Sequence, residues 1–74
     1  MKPRTFEVGS AYCGDDKKIY KVIAKHYSGF GLDDRIVFAG SIVADLYKDD
    51  DGDEEAMFVT DDAKVIIISS DDEV

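Results

Sequence analysis

The 74-residue chain holds one cysteine (Cys13), one histidine (His26), one proline and no tryptophan. One cysteine excludes an internal disulfide. One cysteine and one histidine cannot complete a four-ligand zinc site of those residues. No stretch approaches the ~18 apolar residues of a membrane-spanning helix. Residues 1–5 lead into no apolar run, so no secretory leader is expected. A lone free thiol fits a reducing compartment, and the expected location is cytoplasmic. A chain this short buries only roughly 60% of the surface it exposes when unfolded. Without covalent or metal staples, its fold must rest on apolar packing, for which a hydrophobic fraction of 45% suffices.

Basic residues are scarce beyond the first third. Residues 1–27 carry six bases against three acids, and residues 28–74 carry three bases against fourteen acids. The net charge of −8 therefore belongs to the later two thirds. Direct binding to nucleic acid needs clustered Lys and Arg and is not expected. Binding to a membrane is not expected either.

Apolar, β-branched runs alternate with turn-rich clusters. Residues 5–12 read as a strand with Phe6, Val8, Ser10 and Tyr12 on one side. Residues 13–16 read as a turn. Residues 18–27 form a second strand with Tyr20, Val22, Ala24 and His26 on one face, which makes a hairpin with the first. Ile19, Val22, Ile23 and His26 also have helical spacing, so a helix within 15–28 is the alternative. Residues 28–34 form a loop in which Tyr27 and Phe30 flank two glycines. Residues 35–46 are apolar on both faces and read as one strand bent at Gly40. A helix over 33–47, capped by Asp33, is the rival. Residues 56–59 form a short strand. Residues 63–69, with the run Val65-Ile66-Ile67-Ile68, form a central strand covered on both faces. The expectation is all-β: about five short antiparallel strands in a small curled sheet or partly open barrel. A single domain spans 1–70, with 71–74 as a solvated acidic tail.

Lys48-Asp49-Asp50-Asp51-Gly52-Asp53-Glu54-Glu55 is the densest charge cluster. Aligned on the EF-hand loop with Gly52 at its sixth position, Tyr47 and Phe58 fall at positions one and twelve. Those positions require Asp and Glu, so no metal site is assigned and no cofactor is expected. Asp49, Asp50, Asp51, Asp53, Glu54 and Glu55, together with Asp61 and Asp62, are instead the candidate contacts to a protein partner with a basic surface. Solvated turns that keep the chain soluble are the plainer reading of the same residues. Catalytic options are poor, and the chain is read as no enzyme. A thiolate pair of Cys13 and His26 would need the hairpin to place them side by side. Carboxylates in wet turns keep low pKa values and make weak general acids at neutrality.

Thr5-Phe6-Glu7-Val8-Gly9-Ser10-Ala11-Tyr12, then Tyr20-Lys21-Val22-Ile23-Ala24-Lys25, and later Asp51-Gly52-Asp53-Glu54, resemble small uncharacterised β-rich proteins of Gram-positive bacteria and their phages and plasmids. Those proteins open on an F-x-V-G-x-x-Y run and carry a D-G-x-E turn. They have Arg-Thr after the second strand, where this chain has Lys25-His26. The resemblance covers the first third and one turn. It implies a hairpin-rich β fold, a bacterial host and a mobile-element origin, and it brings no activity. By analogy of class, small acidic phage proteins resemble inhibitors of the anti-CRISPR or anti-restriction kind. The expected function is a non-catalytic binder of a nucleic-acid-handling protein. A structural module whose strand edges pair in a homodimer is the alternative.

Overall fold

The computed structural model describes residues 2–26 and 34–74. Six antiparallel strands follow one another: β1 (Ala11–Gly14), β2 (Ile19–His26), β3 (Arg35–Phe38), β4 (Ile42–Lys48), β5 (Glu54–Val59) and β6 (Val65–Glu73). Each pairs with its neighbours in sequence, and β6 returns to β1, so the sheet closes into a barrel. The all-β expectation holds. Among the described residues no helix forms over 15–28 or 33–47, and none is long and apolar enough to cross a membrane. In the closed barrel each strand pairs with a neighbour on both sides.

The extra strand comes from residues 35–46. They are apolar on both faces because they fold back at residues 39–41 into the β3–β4 hairpin, with Phe38 opposite Ile42. The first predicted strand is displaced. Gly9 takes a φ of +95°, and Ser10 donates its N–H to the Glu7 carbonyl at 3.1 Å, so the chain turns where a strand over 5–12 was expected. Gly14, expected in a turn, ends β1 instead. A Cβ there would stand 2.8 Å from the Tyr20 ring, so the close approach of β1 to β2 needs glycine. The 71–74 tail is a further correction. Its backbone continues β6, with Glu73 opposite Tyr12, and Val74 donates its N–H to the Ala11 carbonyl at 2.9 Å. Asp71, Asp72 and Glu73 remain exposed side chains on a paired strand.

Inward-facing side chains fill the barrel. Tyr12, Tyr20, Val22, Ile36, Phe38, Leu46 and Ile68 are buried, together with Phe6, which enters from the segment before β1. The Phe6 ring meets Tyr12 edge-on at 4.8 Å and Phe38 at 6.1 Å. Tyr20 continues the series to Phe38 and Phe58. Such edge-to-face pairs match the ring quadrupoles. The outer face of β6 is not covered as expected: Val65 is 51% exposed and Ile67 37%.

A bulge in β2 installs a buried charge pair. Pairing with β3 shifts register between Val22 and Ala24, and the inward phase shifts with it. Ala24 and His26, expected on one face with Tyr20 and Val22, are exposed, while Lys25 is partly buried. Its Nζ lies 2.6 Å from Glu54 Oε1, whose side chain is 4% exposed. The same oxygen accepts the Phe6 N–H at 2.9 Å, and Lys25 Nζ donates to the Phe6 carbonyl at 3.1 Å. The pair thus holds both polar groups of the Phe6 backbone. Glu54, expected among the partner-contacting acids, faces the interior and is only 3% exposed.

Three of the turns share one construction. Gly14, Asp49 and Thr60 each donate an N–H to the carbonyl four residues on, at 2.8, 2.9 and 2.9 Å. Each also accepts the N–H three residues on, from Lys17, Gly52 and Ala63, at 3.0, 3.0 and 2.9 Å. Those three residues have φ of 69°, 83° and 66°. This is the three-residue hairpin loop that closes on a left-handed residue. In all three the two residues between are Asp-Asp: 15–16, 50–51 and 61–62.

Ala63→Gly and Lys17→Gly should each raise stability by about 0.5–1 kcal/mol, the left-handed penalty less the entropy glycine adds to the unfolded chain. Urea midpoints that do not move would contradict this. Lys25→Met leaves Glu54 buried without its partner and should cost about 3 kcal/mol. Adding Glu54→Gln should restore much of the loss, because an amide oxygen still accepts the Phe6 N–H. A double variant no more stable than Lys25→Met would show that the charge pair is not what matters there.

Candidate functional site

The antiparallel order sends the turns to two ends of the barrel. Turns 15–18, 39–41 and 60–64 lie at one end, called upper here. Turn 49–53, the segment before β1 and the end of β6 lie at the other. The expected site therefore divides. Asp49, Asp50, Asp51, Asp53 and Glu55 belong to the lower end. Asp61 and Asp62 sit about 20 Å away along β5, at roughly 3.3 Å per residue. The barrel does not bring the two groups together.

The lower cluster is built by the turn and by β6. Asp49 Oδ1 accepts the N–H groups of Asp51 and Asp53, both at 2.9 Å, which curls the turn around that carboxylate. Side-chain oxygens of Asp49, Asp51 and Asp53 come within 4.8 Å of one another. Asp53 also accepts the Arg4 N–H at 2.8 Å, and Glu54 donates its N–H to the Arg4 carbonyl at 3.0 Å. The Arg4 guanidinium reaches Asp71 at 3.8 Å. Lys2, Pro3 and Arg4 line a hollow together with Asp51, Asp53 and Asp71. On the adjoining strands Tyr47 stands opposite Glu55, and Glu55 opposite Ser69.

These acids repel one another. Glu55 has its pKa raised by partial burial first, and then by the charges of Asp49, Asp71 and Asp53. Asp71 is raised by desolvation and by Asp53, Asp49 and Asp72, with Arg4 opposing. Tyr47 is raised by burial, Glu55 and Asp49. Asp71, Asp72, Tyr47 and Arg4 are the members that sequence reasoning did not assign to the site. The signal was the register of β6, which the acidic composition of its end concealed. β6 advances five residues, from Ile68 to Glu73, while β1 retreats two, from Gly14 to Tyr12. A bulge of this kind re-aims side chains at a sheet rim.

The triad of Asp49, Asp51 and Asp53 is the carboxylate set from which a cation site would be made. One of its oxygens is already engaged with two backbone N–H groups. The EF-hand register fails at both ends, as Tyr47 and Phe58 show. At the upper end Asp16 accepts the Tyr20 hydroxyl at 2.5 Å and the Lys18 N–H at 3.1 Å. Burial and the Asp16 carboxylate push Tyr20 up to about 12. Burial opposes ionisation of Asp16, but its hydrogen bonds from Tyr20 and Lys18 prevail and lower its pKa. Cys13 and His26 do not form a pair. Cys13 lies opposite Ile19, at the far end of β2 from His26, roughly 23 Å away at strand spacing. Tyr27, Phe30 and Asp33 lie outside the described residues.

Because the folded values of Glu55 and Asp71 are raised, the stability they contribute is full below the unfolded carboxylate range. It is lost as pH rises through the folded values. Glu55→Gln should therefore raise the thermal midpoint at neutral pH and low salt. The gain should shrink at about pH 4, near the unfolded value, and in about 0.5 M salt. Asp16 runs the other way, and its contribution is lost as pH falls through its lowered value. A Glu55→Gln gain that is the same at every pH and salt would count against mutual repulsion at this end.

Neither the models of known protein families, nor curated proteins, nor solved structures yield a match to this chain.

Proposed function

We propose that the chain is a non-catalytic binding protein whose lower acidic end occupies a basic surface of a larger, nucleic-acid-handling protein. It would act as an inhibitor of the anti-CRISPR or anti-restriction kind. The observation that carries this reading is the convergence of Asp49, Asp51 and Asp53 within 4.8 Å, with Asp51, Asp53 and Asp71 around one hollow. Crowded carboxylates on a rim resemble the charge density of a phosphate backbone. A groove rich in Lys and Arg would relieve their repulsion, and long-range attraction would speed the encounter. Arg4 on Asp71 is an intramolecular instance of the same contact. Asp61 and Asp62 belong to this reading only through overall charge, since they face the other end. The resemblance to small proteins of phages and plasmids supports a mobile-element origin, with action in the bacterial cytoplasm.

Tagged protein immobilised in bacterial lysate should retain a nucleic-acid-handling protein at about 0.1 M salt and release it at about 0.5 M. The purified partner should then lose nucleic-acid binding when the chain is added. A variant carrying Asp49→Asn, Asp51→Asn, Asp53→Asn and Asp71→Asn should bind it at least roughly tenfold more weakly and with a flatter salt dependence. The asparagines keep the turn's acceptor oxygens. Equal retention by the variant, or retention that ignores salt, would refute the proposal.

A further inference from the structure

The outer face of β5 connects two chemically different regions. Towards the upper end β4 and β5 separate. Their pairing runs from Lys48 opposite Glu54 to Asp45 opposite Met57 and stops there, although β4 begins at Ile42 and β5 continues to Val59. A hollow of about 600 Å³ opens where they part, and its lining is mostly polar, with Ser41, Asp45, Thr60 and Asp61 beside Val43 and Val59. On the β6 side Met57 stands opposite Ile67 and Val59 opposite Val65. Val43 is 58% exposed and Val59 60%. Exposed aliphatic side chains are ordinary singly, but a contiguous group beside a hollow marks a contact surface. Further along lie Glu55 on the same strand, Asp53 in the turn before it and, on β6, Asp71.

We infer that this face docks a protein segment with aliphatic side chains at one end and Lys or Arg at the other. The segment lies along β5, its aliphatic end over Met57, Val59, Val65 and Ile67 beside the hollow and its basic end on the acidic rim. This rests on the reading of the lower end as a site for a basic partner and adds where the apolar part of that partner goes. Charge selects the occupant. The rim acids lie at one end of the aliphatic group, and Asp45 and Asp61 border the hollow itself. A second copy would bring its own net charge of −8 against the same rim. From Val59 to Asp53 the strand spans about 20 Å, the length of about 13 helical residues. Apolar burial would supply the salt-independent part of the affinity, and the rim the steering and polarity.

The test uses the isotope-labelled full chain and two peptides of about 13 residues. One carries leucines in one half and arginines in the other. The second has the same arginines, with serines replacing the leucines. The amphipathic peptide should move the amides of Met57, Val59, Val65 and Ile67 as well as those of Asp53, Glu55 and Asp71. It should bind at least roughly tenfold more tightly than the serine peptide, a difference of about 1.4 kcal/mol. Val59→Thr with Val65→Thr keeps β-branched residues at exposed positions. That pair should abolish the difference and leave the serine peptide's affinity unchanged. Equal affinities, with movement confined to the lower end, would overturn the docking surface and leave the basic-partner reading standing. No movement at the lower end with either peptide would overturn both. Shifts on the β5–β6 face that grow with protein concentration alone would assign the face to a second copy and overturn the proposal.

Discussion

Everything at the lower end depends on the ion pair between Lys25 and Glu54. A barrel of six strands still has to seal its mouth, and here the seal is the aromatic ring of Phe6. A chain segment can turn into an apolar interior only if its peptide groups find partners there. Glu54 accepts the N–H, Lys25 donates to the carbonyl, and each neutralises the other. The segment so pinned lays Arg4 across the acidic turn. A buried pair of this sort adds little net stability over an apolar replacement, but losing one member is costly. Its contribution here is geometric: it determines where the N-terminal segment runs, and hence which carboxylates gather around it.

The Asp-Asp pairs have two roles that composition alone cannot separate. In three turns they fill the positions just before a left-handed residue, where short polar side chains suit the backbone. Asp16 accepts the Lys18 N–H, and Asp49, which precedes the pair 50–51, accepts the Asp51 N–H. That local chemistry would place acids at both ends of any barrel built from such turns. At the lower end the returning strand β6 adds Asp71 and Asp72 beside them, and there burial and neighbouring carboxylates raise the pKa of Glu55 and Asp71. Mutual repulsion in the folded state costs stability, and a basic partner would remove that cost.

Much of the architecture was legible because β-branched and aromatic residues alternate between turn-forming clusters. The run 65–68 gave β6, Tyr20 and Val22 gave the inner face of β2, and Asp51-Gly52 gave a hairpin turn. Three features were not legible, each for a physical reason. The doubling back at 39–41 makes two short strands look like one strand that is apolar on both sides. The bulge in β2 shifts the phase of a period-two pattern, so Lys25 rather than Ala24 turns inward. Residues 71–73 are strand because β1 needs a partner to close the barrel, a long-range demand that their acidic side chains do not express. The same demand places Glu54, indistinguishable in sequence from Glu55, on the interior face one residue away. For the site, the acidic turn could be read from the chain, but its separation from Asp61 and Asp62 required the strand order.

The nearest-neighbour order of the strands also shapes how the molecule reaches this state. Five of the six strand pairings join segments adjacent in sequence, and three are closed by loops of the same compact kind. Hairpins of that sort form in roughly 1–10 μs and need little chain entropy to close. Only the union of β6 with β1, and the arrival of Phe6 beneath it, must wait for distant parts of the chain to meet. The barrel is therefore assembled locally and locked non-locally. The last contacts to form are those that bring Arg4 and Asp71 to the turn at 49–53, so a partially folded chain would have most of its sheet but an incomplete candidate binding end.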